Sequence, residues 1–170
     1  MKLALYSRII KETYLPVLEV LFKTLSEKGI EVSVYQPIAA EIKEKLSLNK
    51  ELGTFTGYND LPTDIDFLIS IGGDGTLLDT VHIVRGRQIP VAGINAGRLG
   101  FLADINKQEV KELIFSLENN TFSIEKRTLI HVDSNKSIFE VNYGLNEFAI
   151  HKTYSSSMIS ILVYLNGEYL

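Results

Sequence analysis

The stretch FLISIGGDGT, Phe67 to Thr76, decides the fold. Phe67 to Ile71 is an apolar run of strand length, the pattern of a strand buried on both faces. Glycines and an aspartate follow at Gly72, Gly73, Asp74 and Gly75, and from Thr76 to about Val84 the residues read as a helix. Strand, glycine turn and helix form the unit of a parallel sheet, because a crossover must carry the chain back along the sheet. Upstream the alternation recurs. Leu3 and Leu5 mark a first strand; Leu15, Leu18, Phe22 and Leu25 recur at helical spacing, and Gly29 sits where that helix would end. Glu31 to Tyr35 alternates, with Val32 and Val34 on one face. An amphipathic helix is predicted from about Ala39 to Leu48, and a loop from Asn59 to Asp64 around Pro62. Downstream, Val91 to Ile94 is another buried strand, and a helix is predicted from about Lys107 to Leu117.

Beyond that helix the texture changes. Ile124 to Val132, Ser137 to Val141, Phe148 to Ile150 and Met158 to Leu165 are strand-like, and no long helix intervenes. The expected class is α/β: a mostly parallel, doubly wound domain over residues 1–104, then the start of an antiparallel β-rich domain over residues 105–170. Asn166-Gly167 is a hairpin signal, since both positions of a type I′ turn need positive φ. The sequence stops three residues later, so the β domain is expected to be incomplete. An unpaired hairpin edge invites another copy, and a homo-oligomer (dimer or tetramer) is expected.

Composition narrows the function. The 170 residues are 45% hydrophobic and 22% charged, values of a globular chain with a core. The net charge of −4 argues against a general nucleic-acid partner, which would need basic surface. The absence of cysteine excludes disulfides and thiolate metal sites. His82, His131 and His151 show no metal-ligand spacing. The opening MKLALYSRII lacks a cleavage site and no stretch is long enough to cross a bilayer, so no membrane partner and a cytoplasmic location are expected.

Three segments carry candidate chemistry. In the glycine turn the backbone could approach a phosphate, and the following helix N-terminus offers free N–H groups. It is neither the P-loop, which needs a lysine after its last glycine, nor the GxGxxG fingerprint. Asp74 would repel phosphate, so it reads either as an acceptor of a hydroxyl proton, as a magnesium ligand, or simply as a helix cap. Asn95 to Leu102 (NAGRLGFL) places two more glycines after a strand, with Arg98 to supply positive charge. Phe101 could lie against an adenine ring, but taken alone the core reading is stronger. Asn146-Glu147 could read ribose hydroxyls, although the pair alone reads better as a solvated turn.

Together GGDGT at 72–76, NAGRLGFL at 95–102, EKRTLI at 125–130 and LNE at 145–147 resemble the NAD kinase family across essentially the whole chain. GGDGT by itself is shared with lipid kinases of the diacylglycerol and sphingosine type; NAGRLGFL resembles the NAD kinases alone. The resemblance implies a Rossmann-like N-terminal domain and ATP-dependent phosphorylation of the 2′-hydroxyl of the adenosine ribose of NAD, giving NADP. It implies Asp74 as general base, a substrate contact through Gly75, and a phosphate-binding turn shaped by Gly72, Gly73 and Thr76. Arg98 and Phe101 would line the NAD pocket, and Asn146 and Glu147 would bind the dinucleotide. ATP with a divalent metal, Mg2+ by expectation, would be the donor. The family carries a further nucleotide-binding segment, with a GSTAY-like run, past the point where this sequence stops. The chain is therefore expected to be a kinase fragment with an incomplete pocket; a lipid kinase and a non-catalytic nucleotide-binding module are the alternatives.

Overall fold

A computed structural model describes residues 1–97, 100–136, 139–152 and 158–170. Five strands form the main sheet: β1 (Lys2–Tyr6), β2 (Glu31–Tyr35), β3 (Gly53–Phe55), β4 (Phe67–Gly72) and β5 (Val91–Asn95). All are parallel, in the order β3-β2-β1-β4-β5. The chain winds outward from β1 to β3, then returns to lay β4 on the other side of β1. Between β1 and β4 the winding reverses, and in open α/β sheets ligands bind outside the carboxyl ends of the strands at such a point.

The helices are α1 (Leu15–Lys28), α2 (Gln36–Lys45), α3 (Asp74–Val84) and α4 (Val110–Asn119). Gly29 ends α1 in the left-handed conformation at φ 65°, as the sequence predicts. The second helix begins three residues earlier than expected because Pro37 suits a first turn, where its missing N–H costs nothing. Strand β3 carries no clear sequence signal: it is short, begins at a glycine and lies at the sheet edge.

Both faces of the sheet are covered, which explains the nearly unbroken apolar strands. Leu3 and Leu5 of β1, Ile69 and Ile71 of β4 and Ile94 of β5 pack with Leu18 and Leu21 of α1 and Val110 and Ile114 of α4. On the other face Ala4, Tyr6 and Leu68 pack with Phe55, Leu61, Ile65 and Ile83 of α3. At roughly 1.5–3 kcal/mol per fully buried aliphatic side chain, these two clusters are the main source of cohesion.

Two compact units divide the chain, residues 1–127 and 128–170. The second is antiparallel, as expected, but its strands are much shorter than the sequence pattern suggests. Ile130–His131 (β6) pairs with Tyr143–Gly144 (β7), and Tyr164–Leu165 (β8) with Glu168–Tyr169 (β9). Asn166 and Gly167 both have positive φ, so the hairpin turn is formed. The alternation over 158–165 is not realised beyond β8: Ile159, Ile161 and Val163 remain about half exposed, at 50%, 52% and 47%. Strand propensity is realised only against a partner that packs on it. Of the predicted strand Ser137 to Val141, the first two residues lie outside the described residues.

Candidate active site

Strand β4 delivers the glycine turn to the carboxyl edge of the sheet, at the reversal point beside β1. Gly72 has φ 154°, and a Cβ there would lie 2.4 Å from Thr76 Oγ1, so no other residue fits. Gly73 is the N-cap of α3, and its carbonyl accepts from the N–H groups of Thr76 at 2.9 Å and Leu77 at 3.2 Å. Asp74 is therefore the first residue inside the helix. The cap reading fails, because no side chain caps α3.

The Asp74 carboxylate instead reaches across to the segment after β5. Oδ2 accepts from the backbone N–H of Phe101 at 2.9 Å; Oδ1 accepts from those of Leu102 at 2.9 Å and Ala103 at 3.1 Å. These amides, that of Phe101 first, hold its carboxyl below the ordinary value of 3.8 by favouring the charged form. Gly100 is shaped to this contact: a Cβ there would sit 2.2 Å from Asp74 Oδ1. Asn95, the buried last residue of β5, holds the same segment from the other side. Its Nδ2 donates to the carbonyl of Ala103 at 3.1 Å and its Oδ1 accepts from the N–H of Gly97 at 2.8 Å.

A second charged group stands beside the turn. Arg8, two residues past β1, donates from Nε and from Nη2 (2.6 Å) to the two oxygens of Asp79, and from Nη2 to the carbonyl of Gly75 at 3.0 Å. Gly75 and Asp79 are four residues apart and so share a face of α3. Tyr6 donates from its hydroxyl to Asp79 Oδ2 at 3.0 Å. Burial, and then the charge of Asp79, push the Tyr6 hydroxyl pKa up, while the hydrogen bond to Asp79 raises that of Arg8.

The residues singled out from sequence thus fall into three groups. Gly72, Gly73, Asp74, Gly75 and Thr76 form the turn, and the backbone of Phe101 joins them through Asp74. The Phe101 ring is 97% exposed, which overturns its reading as a core residue. Arg98 lies outside the described residues. Asn146 and Glu147 belong to the second unit, where both are exposed just past β7. Sequence reasoning did not single out Arg8 or Asp79. The signal for Arg8 was a basic residue just past a buried strand, on the edge where the glycine turn was already expected.

Comparison with known proteins agrees with this architecture. The family model for the ATP-NAD kinase N-terminal domain matches residues 3–122. The NAD kinase of Flavobacterium psychrophilum is 35% identical over 173 aligned positions, which cover 100% of this chain and 59% of that protein. The NAD kinase of Bacteroides fragilis is 40% identical over 151 positions, covering 88% of this chain and 51% of its own length. Yeast NADH kinase, solved in complex with NADH, shares the fold at a TM-score of 0.73 and 23% identity, covering 100% of this chain and 54% of that one. The chain thus spans between half and three fifths of the length of these relatives. A model match over 120 of 170 residues, on a sheet of this topology with GGDGT at its reversal point, leads to one assignment: the chain belongs to the ATP-NAD kinase family.

Proposed function

We propose that this chain carries the phosphate-binding turn of an ATP-dependent kinase that phosphorylates the 2′-hydroxyl of the adenosine ribose of NAD to give NADP. The observation that carries the reading is the Asp74 carboxylate, placed at the start of α3 on the reversal edge and held by three consecutive amides. Gly72, Gly73, Gly75 and Thr76 let the donor's phosphates approach the helix N-terminus. The exposed Phe101 ring, with Arg98, lines the NAD pocket, and Asn146 and Glu147 bind the dinucleotide. The protein works in the cytoplasm as a homo-oligomer, with the 1–104 region carrying the GGDGT turn and the 105–170 region forming the first part of a β-rich NAD-binding domain.

In the transfer the ribose 2′-oxygen attacks the γ-phosphorus of ATP, the bond to the bridging oxygen breaks, and ADP leaves. Asp74 accepts the hydroxyl proton. A carboxylate of lowered pKa is a weak base, which suits a loose transition state in which the proton moves late and positioning dominates. The oxygens of Asp74 are already engaged by amides, which does not make a resident metal cage. A divalent metal such as Mg2+ would come as part of the ATP complex, and the chemistry it would supply there is neutralisation of phosphate charge.

The first measurement is ATP-dependent NADP formation by the chain and by any longer gene product containing it. NADP made by either supports the reading, and activity only in the longer form assigns part of the pocket to the added segment. No NADP from either form, together with no binding of NAD, overturns it in favour of a protein that kept the fold without the activity. Asp74→Asn is expected to lower turnover by about 10²–10⁴-fold, the usual contribution of a general base, with NAD affinity retained. Normal turnover in that variant would remove Asp74 from the chemistry.

A further inference from the structure

The glycine turn poses an electrostatic problem. It offers N–H groups to phosphate, yet Asp74 puts a negative charge at the same helix start. Arg8 is placed to resolve it. It lies two residues past the end of β1, the strand that pairs with β4 at the reversal point. Asp79 grips the guanidinium through Nε and Nη2, and the Gly75 carbonyl holds Nη2 as well. Nη1 has no acceptor among the described residues, and it lies 3.5 Å from where a Cβ on Gly75 would be. The guanidinium therefore flanks the turn with one edge clamped and the other open, in a side chain that is 57% exposed. An exposed ion pair contributes little to stability, about 0–1 kcal/mol. A fixed, always charged, planar fork is by contrast what phosphate recognition requires.

We propose that Arg8 is a phosphate-binding residue of this site, its open Nη1 edge taking a phosphate of the nucleotide donor, and that Asp79 is the positioning residue that aims it. The inference rests on the nucleotide-kinase reading above and extends it to residues outside the GGDGT turn. The polyphosphate is recognised by charge and the nucleoside elsewhere, so removing Arg8 must separate the two.

The test is titration calorimetry on the full chain with ATP, tripolyphosphate and adenosine, for the wild type, Arg8→Ala, Arg8→Lys and Asp79→Asn, with thermal melts to verify folding. Loss of one charge-assisted hydrogen bond predicts ATP and tripolyphosphate binding weakened about tenfold in Arg8→Ala, adenosine binding unchanged, and partial recovery in Arg8→Lys. Asp79→Asn should weaken ATP without touching adenosine, since the guanidinium is then less firmly aimed. If Arg8→Ala fails to fold, Arg8→Lys and Asp79→Asn carry the same comparison. ATP affinity unchanged in every variant, or ATP and adenosine weakened together, would overturn the proposal and leave Arg8 a structural tie. Wild type that binds adenosine but not tripolyphosphate also overturns it while the nucleotide reading stands; wild type that binds no ATP, adenosine or NAD sinks both.

Discussion

Asp74 is the residue on which the site turns, and its geometry makes a pH-dependent prediction. Its folded pKa is depressed, so its contribution is fully present above the ordinary aspartate value of 3.8 and is lost as pH falls through the lower folded value. In an NMR titration the backbone amides of Phe101, Leu102 and Ala103 should move together, with a midpoint below 3.8. A midpoint at or above that value would mean the three bonds do not persist in solution. Gly100→Ala attacks the same contact from its other side. Its Cβ cannot share the 2.2 Å space with the carboxylate, so overpacking should destabilise the protein by about 1–3 kcal/mol. Urea denaturation measures this, and the Asp74-linked amide shifts should be lost in the same variant. These contacts were not legible in the sequence. A helix cap stayed open as one reading of Asp74 because Asp often caps helices, and only the folded chain shows that Gly73 already holds that position.

Among the elements, the connection between β3 and β4 has an unusual anchor. Arg87, just past α3, donates from Nη1 to the carbonyl of Leu61 at 2.6 Å and from Nη2 to that of Tyr58 at 2.7 Å, with its guanidinium 4.6 Å from the Tyr58 ring centre. Asp60 closes the same loop by accepting from the N–H groups of Thr56 at 2.8 Å and Gly57 at 2.9 Å. Arg87→Ala leaves half-buried carbonyls without a charged donor and should cost about 1–3 kcal/mol in a thermal or urea melt. A change well under that would show that water replaces the guanidinium freely. Strand β4 and helix α3 beside this loop were legible, through an apolar run and a helix-length segment after the glycine turn, whereas the short edge strand β3 was not. The loop's anchor was not, since nothing in a local pattern tells which of 17 basic residues meets which carbonyl.

At the scale of the whole molecule the two units differ in how they are held. Residues 1–127 bury a sheet on both faces, whereas the described residues of 128–170 pair in two short ladders and leave Ile150, Met158 and Leu162 at 72%, 97% and 70% exposure. Limited trypsin digestion should therefore trim the second unit first and leave a resistant fragment ending near Arg127; digestion of both at one rate would contradict the division. The sequence alone determined the alternation of strands and helices, the glycine turn at a strand's carboxyl end, the antiparallel texture after it and the Asn166-Gly167 hairpin. Each of these is set by residues near one another in the chain, through periodicity or the φ a turn demands. The tertiary structure decided the strand order that puts Arg8 beside GGDGT, the grip of Asp74 on residues 101–103, the exposure of Phe101 and the shortness of the later strands. Those depend on which segment becomes whose neighbour. Hydrogen bonds and buried area are settled between partners distant in sequence, and a local pattern does not name the partner.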